Sequence, residues 1–262
     1  METLKALTQF YENYDEDNRL NTRFGSVEFL TTMRYVQKYL RPGMRILEIG
    51  AATGRYSHSL ARDGYRVDAV ELLEHNIEVF REKTLPDETV TITQGDARDL
   101  SAFGDETYDI TLLLGPMYHL FTREDKLQAL SEAIRVTKKG GIVFAAYCMG
   151  DASVLSYGFI KGKVHEIIEK CMLDPVTFDT FSNPWDIFEL YRKENIDDLR
   201  QQFPVTQLHF VATDGYTNHI REVVDAMDEK TYQVFLNYHF APCERLDLIG
   251  YSHHTLDIFR KD

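Results

Sequence analysis

The chain has 262 residues, with 29 Lys and Arg against 42 Asp and Glu, so its formal charge at pH 7 is −13. Hydrophobic residues make up 44% of the chain, which is enough to form a core and excludes a wholly disordered protein. The acidity disfavours a protein whose main partner is a nucleic acid, because attraction to a phosphate backbone requires clustered Lys and Arg.

Two further classes are disfavoured by local sequence. No apolar run is long enough to span a membrane, and the acidic, helix-patterned start does not resemble a signal peptide. The three cysteines, Cys148, Cys171 and Cys243, are too few and too scattered for a disulfide framework or a zinc site. We therefore expect a cytoplasmic protein with no membrane partner and no metal site.

Residues 1–40 are predicted to form an N-terminal helical cap. Leu4, Leu7 and Tyr11 recur at helical spacing, and a second helix is predicted over residues 27–40. The acidic, turn-prone sequence between these two helices is too polar to continue as a buried helix. This part of the chain is therefore expected to be helical with one break.

From residue 41 to residue 149, short apolar runs alternate with amphipathic helices. The predicted strands are 45–49, 66–70, 90–93, 108–114 and 142–147, and the predicted helices are 55–62, 73–83 and 123–136. Such alternation predicts right-handed βαβ units and an α/β fold with a doubly wound, mostly parallel sheet that has helices on both faces.

The alternation lapses after residue 149. Residues 150–202 are predicted to be a mainly helical lid insertion. Residues 203–262 are predicted to complete the core with a strand at 205–212, a helix at 217–235 and a last strand at 255–260. Aromatic residues of the lid could line an apolar pocket or form a small core of the lid itself: Tyr157, Phe159, Phe178, Phe181, Trp185, Phe188 and Tyr191.

The strongest local signal follows the first predicted strand. That strand carries Glu48 near its end and leads into the small-residue turn Gly50-Ala51-Ala52-Thr53-Gly54, which opens a helix. A turn of small residues lets a ligand lie against backbone N–H groups at a helix start. Taken alone, the same turn could serve only for packing between strand and helix.

Three later strands end in comparable features. Glu71 ends the second strand about 20 residues after Gly50, a position suited to a carboxylate that binds ribose hydroxyls, although it could also be an ordinary acid at a helix start. Gly95-Asp96 follows the third strand and Leu114-Gly115 follows the fourth. Because the carboxyl ends of parallel strands meet at one edge of the sheet, these features together predict a ligand crevice there.

With these motifs, residues 41–149 resemble the class I S-adenosylmethionine (SAM)-dependent methyltransferases. The resemblance implies a Rossmann-like, seven-stranded sheet, SAM as the cofactor and methyl transfer as the activity. It also implies, by position, a set of cofactor-binding residues: Glu48, Gly50, Ala51, Gly54, Glu71, Leu72, Asp96, Ala97, Leu114 and Gly115.

Within that implied set, Glu71 would hold the ribose and Asp96 would accept a hydrogen bond from the adenine amine. The sequence departs from the family at Ala52, where Gly is common, and we expect a slightly displaced backbone there. The fourth-strand segment lacks the Asn/Asp-Pro-Pro-Tyr pattern of many nucleic-acid base methyltransferases, which weakens that interpretation. A nicotinamide-binding domain is disfavoured because Gly50 and Gly54 do not fit Gly-x-Gly-x-x-Gly.

Methyl transfer from a sulfonium is a direct displacement, which requires alignment and in some cases a base. His119 is the first candidate for that base, because it follows the fourth strand. The alternative, that it only packs at the start of the next helix, is the favoured one, since a single uncorroborated histidine is weak evidence. Tyr118, Tyr11 and Tyr14 are candidate aromatic walls for the cationic cofactor, although packing in a helix core is favoured for Tyr11. Arg19 could pair with the methionine carboxylate or form a surface salt bridge within the acidic break.

The sequence therefore predicts a SAM-dependent methyltransferase with a small-molecule acceptor. Two alternatives stay open: an RNA or protein methyltransferase, which predicts a basic face, and a non-catalytic SAM- or nucleotide-binding module, which predicts a lid pocket filled by side chains. The histidines show no ligand spacing with cysteines or acids, and His253 and His254 would point to opposite sides of a strand. The oligomeric state is not predicted.

Overall fold

The computed structural model describes residues 2–13, 22–185 and 187–262. Two helices come first: α1 (Glu2–Asn13) and α2 (Arg23–Tyr39). Helix α2 begins before the predicted residue 27 because the Thr22 side chain caps it, its hydroxyl accepting a hydrogen bond from the Gly25 amide at 3.1 Å. The predicted sites at Tyr14 and Arg19 lie outside the described residues.

The described residues form one eight-stranded sheet in the order β3-β2-β1-β4-β5-β8-β7, with the short strand β6 beside β5. The strands are β1 (Arg45–Ile49), β2 (Arg66–Glu71), β3 (Val90–Gln94), β4 (Tyr108–Leu113), β5 (Thr137–Met149), β6 (Leu190–Tyr191), β7 (Val205–Ala212) and β8 (His254–Lys261). Strands β1 to β6 pair in parallel, whereas β8 is antiparallel to both β5 and β7.

Helices connect the strands and cover the sheet. They are α3 (Arg55–Arg62), α4 (Glu74–Lys83), α5 (Arg123–Val136), α6 (Gly150–Ser153), α7 (Val164–Glu169), α8 (Lys193–Arg200), α9 (Arg221–Asp225) and α10 (Glu229–Phe240). A wider π-helical turn, Val154–Ile160, continues α6, and a short 3-10 turn, Pro116–His119, follows β4.

Both faces of the sheet are buried. Ile46 and Leu47 are neighbours on β1 and are each 0% exposed, although successive strand residues point to opposite faces. Ile46 belongs to the apolar cluster that contains Val36 of α2, and Leu47 belongs to the cluster that contains Leu130 of α5. The predicted mostly parallel sheet with helices on both faces is thus confirmed.

Three expectations about the elements are revised. The sheet has an eighth strand, β6, which pairs only with Cys148 and Met149 of β5. The lid segment is helical to residue 169, but the described residues of 170–189 form turns and one isolated bridge between Leu173 and Thr180. The helix predicted over residues 217–235 is broken into a 3-10 turn, α9 and α10.

The break before α10 has a local cause. The Asp228 carboxylate accepts a hydrogen bond from the Thr231 amide at 2.7 Å and so caps a new helix. Within the described ranges, no helix combines the length and the apolar character that crossing a membrane requires.

Candidate functional site

A cleft of about 450 Å³, which we call the inner cleft, lies at the carboxyl ends of β1 to β4. Because β1 to β4 run in parallel, the turns that follow them meet at this one edge. Nine of the predicted cofactor-binding residues line the inner cleft: Glu48, Gly50, Ala51, Glu71, Leu72, Asp96, Ala97, Leu114 and Gly115. Tyr118 and His119 line it as well.

The turn after β1 is tightly packed. Gly50 has φ = +78°, and a Cβ there would lie 2.6 Å from Pro116 Cδ, so only glycine lets the turn approach the segment after β4. Ala52 has φ = +46°, and its amide donates a hydrogen bond of 2.9 Å to Glu71 Oε2. The side chain at the end of β2 therefore holds the turn that follows β1.

Gly54 is predicted to bind cofactor, but it does not line the inner cleft. It precedes α3 with φ = +90°, and a Cβ at this position would lie 2.5 Å from Phe80 and 2.6 Å from His58. Its direct structural role is to let α3 approach α4 closely.

The Glu71 carboxylate is buried and already accepts three hydrogen bonds. Besides the Ala52 amide, the Leu73 amide donates to Oε1 at 3.0 Å and the Asn76 side chain donates at 3.2 Å. A carboxylate offers about four lone-pair positions. One hydroxyl group can therefore bind without change, and a second can bind if the long Asn76 contact gives way.

Asp96 is held by Arg98. The guanidinium donates to both carboxylate oxygens, at 3.0 Å from Nε to Oδ1 and 2.6 Å from Nη2 to Oδ2, and it also contacts Asp125 at 2.9 Å. Burial alone would raise the pKa of Asp96, but the hydrogen bonds and charge of Arg98 outweigh it and hold this pKa below its usual value. Asp96 is thus ionised at neutral pH, and its contact with a purine amine stays a prediction.

Glu48 differs from these two acids in its charge. It is 1% exposed, and burial raises its pKa to about 8, although the Ser57 hydroxyl donates a hydrogen bond to it. At neutral pH the inner cleft therefore has a mostly uncharged carboxylic acid at its base.

His119 is neutral and hydrogen-bonded at both ring nitrogens. Nδ1 lies 2.7 Å from the carbonyl oxygen of Ile187, so Nδ1 carries the proton, and Nε2 accepts from the Tyr11 hydroxyl at 3.0 Å. Burial lowers the pKa of His119 to about 4. Since its lone pair is engaged and its basicity is low, this geometry favours a packing role for His119 over the predicted role as a base.

A second cavity of about 1360 Å³, the outer cavity, adjoins the inner cleft. Among the described residues, three line both spaces: Tyr11, Tyr118 and His254. Four of the seven lid aromatics line the outer cavity: Tyr157, Phe181, Trp185 and Phe188. Tyr191 is instead buried in the core, where its hydroxyl donates to the Met117 carbonyl at 2.6 Å.

His254 is the residue that sequence reasoning missed. Its Nδ1 lies 2.8 Å from Asp214 Oδ2 and 3.4 Å from Glu28 Oε2. Burial alone would lower the pKa of His254, but Glu28, Cys148 and Asp214 outweigh it and raise this pKa well above the usual value.

His254 forms a cluster with Glu28 and Asp214. No sequence pattern indicates this cluster, because the three residues are far apart in the chain. Glu28, Asp214 and His254 each offer one ligand atom, and these atoms lie within 4.8 Å of one another, as in groups that can hold a metal ion. The absence of a metal site stays a prediction, and the acidic neighbours of His254 come from α2 and the loop after β7.

Residues 46–141 match the family model of a methyltransferase domain. A demethylmenaquinone methyltransferase of Clavibacter sepedonicus is 36% identical over 100 residues, which are 38% of this chain and 39% of the relative. A SAM-dependent Diels–Alderase of Talaromyces variabilis is 32% identical over 106 residues, 39% of this chain and 35% of the relative. The chain thus matches less than half the length of these curated relatives.

Solved structures resemble the chain over most of its length. The CcbJ methyltransferase from Streptomyces caelestis has a TM-score of 0.61 at 13% identity and covers 97% of this chain and 96% of its own. A SAM-dependent methyltransferase from Methanosarcina mazei has a TM-score of 0.58 at 17% identity, with 87% and 96% covered. At these identities the likeness shows a shared fold.

Proposed function

We propose that this chain, of which residues 46–141 match the model of a methyltransferase domain, is a class I SAM-dependent methyltransferase that transfers a methyl group from SAM to a small, largely apolar acceptor. One observation carries the proposal: the inner cleft at the strand ends opens onto a larger, aromatic-lined outer cavity through a junction formed by Tyr11, Tyr118 and His254. Two reactants can meet at this junction.

The residues that line the inner cleft suit SAM as the cofactor. Glu71 presents a buried carboxylate suited to sugar hydroxyls. Gly50 and Gly115 have φ of +78° and +134°, a conformation that residues with a side chain rarely adopt, so the backbone there can lie directly beside a ligand. Bound SAM supplies a methyl group on a positively charged sulfur, which is already activated for displacement. In this proposal Glu71 binds the ribose and Asp96 lies at the purine edge.

The contribution of the protein to such a reaction is alignment and exclusion of water. Correct alignment of two reactants can lower a barrier by about 7–11 kcal/mol in favourable cases. Tyr118 lines both spaces, with its ring centroid 4.9 Å from that of His119 and 6.3 Å from that of His254. We infer that these rings position the acceptor at the junction.

The small-molecule acceptor is supported by the composition of the outer cavity. Its aromatic walls favour a flat or apolar ligand. An RNA or protein substrate stays the alternative, and the net charge of −13 disfavours the RNA form. Curated relatives support small molecules too, since one is named a demethylmenaquinone methyltransferase.

Another candidate function is SAM binding without methyl transfer. The matching relative that is named a SAM-dependent Diels–Alderase favours it, because the same domain there carries a different reaction. The two functions differ in whether SAM is consumed.

The cytoplasmic location is a proposal from the sequence. The division of the chain into a cap (1–40), a core (41–149 and 203–262) and a lid (150–202) is a proposal from the sequence as well.

The decisive experiment combines calorimetry and product analysis. We expect purified protein to bind SAM and its demethylated product, and to transfer a labelled methyl group into the small-molecule fraction of a cell extract. Binding with no label transfer would favour the second function. Failure to bind either compound would contradict both.

A further inference from the structure

We propose that Arg98 is a positioning residue that gives the inner cleft its preference for a base with an exocyclic amino group, because its guanidinium holds the Asp96 carboxylate with a single acceptor position left open. This inference rests on the proposed binding of SAM, whose adenine carries such an amino group. It adds to that function the residue that selects the base.

Arg98 lies in the inner cleft beside the acid that it contacts. Asp96 and Arg98 both line this cleft in the turn that follows β3, and Asp125, in the first turn of α5, lines it as well. The side chains of Asp96 and Arg98 are 30% and 43% exposed, so a ligand in the cleft can reach either one. The contact between them is therefore part of the wall of the ligand site.

The hydrogen bonds of the Asp96 carboxylate can be counted. Oδ1 accepts from the Arg98 amide at 2.9 Å and from Arg98 Nε at 3.0 Å, and Oδ2 accepts from Arg98 Nη2 at 2.6 Å. A carboxylate offers about four acceptor positions, two on each oxygen. Within the described ranges of the chain, no other donor contacts this carboxylate. One position on Oδ2 is thus left, and only a hydrogen-bond donor of the ligand can use it.

Arg98 is itself fixed at two further points. Its Nη1 donates to Asp125 Oδ1 at 2.9 Å, and its carbonyl oxygen accepts from the Gln128 side chain at 3.1 Å. Both partners belong to α5, and the Asp125 amide donates to the Thr122 hydroxyl that caps this helix. The orientation of the Asp96 carboxylate is thereby tied to a helix and not only to its own turn.

The charges around Asp96 explain why the guanidinium is needed. Asp96 is joined to Asp99 by a backbone hydrogen bond of 3.0 Å, and the like charges of these two acids repel. Arg98 also separates Asp96 from Asp125, since it contacts both. Without Arg98, the partly exposed Asp96 carboxylate would turn away from these acids and bind water. It would no longer present one fixed acceptor position to a ligand.

A fixed acceptor selects ligands by the group that they carry at one position. An exocyclic amino group donates a hydrogen bond to the open position on Oδ2. A base with only hydrogen there donates none, and it leaves the carboxylate partly desolvated and unpaired. Because exposed ion pairs contribute little to stability, the loss of Arg98 is expected to affect this selection more than the fold.

The test compares two ligands that differ only at the base: demethylated SAM and its analogue with hydrogen in place of the adenine amino group. Isothermal calorimetry at one pH and one salt concentration measures both affinities. We expect the wild type to prefer demethylated SAM by about 10- to 100-fold, and Arg98→Ala to lower this preference about tenfold. A merely structural role of Arg98 would not change the ratio, because both ligands would lose affinity alike.

Two further variants, each checked for folding by thermal unfolding, separate geometry from charge. Arg98→Lys keeps the positive charge but replaces the forked guanidinium by a single ammonium group, and we expect it to lower the preference as well, though less than Arg98→Ala. Arg81→Ala is the control. It removes an exposed arginine of α4 that pairs with Glu74 at 3.5 Å and lines neither space, and both affinities are expected to stay unchanged.

Three results would overturn the inference and leave the proposed function intact. They are equal affinity of the wild type for the two ligands, a wild-type preference in folded Arg98→Ala, and a wild-type preference in Arg98→Lys, which would show that charge alone suffices. If Arg98→Ala does not fold, the wild type and Arg98→Lys decide in the same way. Binding of neither ligand by the wild type contradicts the proposed function itself.

Discussion

Glu71 connects the turn after β1 to the turn after β2, and its carboxylate faces the inner cleft. We predict that Glu71→Gln weakens binding of demethylated SAM by about 10- to 100-fold, because hydrogen bonds to a charged group contribute about 1.5–3 kcal/mol. Isothermal calorimetry measures this change. Asn76→Ala is the control: it removes a donor to Glu71 but keeps the carboxylate, and equal losses in both variants would contradict direct ribose binding.

From the raised pKa of Glu48 we predict that the free energy of unfolding depends on pH. The folded protein keeps a proton on Glu48 up to about pH 8, whereas the unfolded chain releases it near the ordinary value of 4.5. The free energy of unfolding therefore falls as pH rises through this range, by up to about 1.4 kcal/mol per pH unit. Glu48→Gln is expected to remove this fall and to be the more stable protein at pH 8.

Chemical denaturation at several pH values measures the effect of Glu48. Glu74→Gln changes an exposed acid at the start of α4 and serves as the control, with a pH dependence like that of the wild type. Parallel curves for Glu48→Gln and wild type would show that Glu48 is not protonated in the folded state.

At the residue scale, the sequence predicts only those site residues that a short-range pattern marks. Glu71 and Asp96 can be assigned to the inner cleft because each directly follows a recognisable strand. His254 cannot be found in this way, since its partners Glu28 and Asp214 join it only through the packing of α2 and β7 beside β8. The state of His119 is equally hidden, because it depends on contacts with Tyr11 and Ile187 that are distant in sequence.

The strand–turn–helix unit around Gly54 can be tested at the scale of the element. Gly64, at the end of α3, has φ = +87° and nothing within 4 Å of the position that a Cβ would occupy, whereas Gly54 has a similar φ and Phe80 at 2.5 Å. Gly64→Ala should thus cost only backbone strain, about 1–2 kcal/mol. Gly54→Ala should cost roughly a further 1–3 kcal/mol from overpacking.

Urea denaturation of the two glycine variants gives the comparison. Because the backbone strain is shared, the difference between them isolates the contact of α3 with α4. Equal destabilisation would mean that the residues around Gly54 move aside without cost.

At the element scale, periodicity locates the strands better than the later helices. The strands β1, β2, β4 and β5 are predictable because they are buried and mostly apolar, and the edge strand β3 is predictable because its apolar and polar residues alternate. The helix predicted over residues 217–235 was wrong in its continuity, since an apolar pattern does not show that Asp228 caps a new helix. The two-residue strand β6 is too short for any pattern, and its pairing depends on β5 extending past β4.

At the scale of the whole molecule, α1 is a wall of both the inner cleft and the outer cavity, yet it packs in a small apolar cluster of its own. Leu7, Leu73 and Ile187 form the buried part of this cluster, separate from the two large clusters of the sheet. We predict that Leu7→Ala loosens α1 and weakens ligand binding, with little change in the midpoint of global unfolding.

Hydrogen exchange of the α1 amides and calorimetry measure the effect of Leu7→Ala. The control is Leu60→Ala in the cluster under α3, which is expected to lower the free energy of unfolding by about 2–5 kcal/mol. If Leu7→Ala lowered the global stability to the same extent, α1 would be part of the cooperative core.

The antiparallel position of β8 between β5 and β7 affects how the chain can be assembled. During synthesis β7 leaves the ribosome before β8, and it has no strand to pair with until β8 inserts beside β5. Over that interval the nascent chain exposes an unpaired edge of β5, which is a site for wrong association. His254 is the first residue of β8, so the same insertion places its ring in the cleft. A chain in which β8 had not inserted would therefore lack both the complete sheet and the imidazole that lines the ligand site.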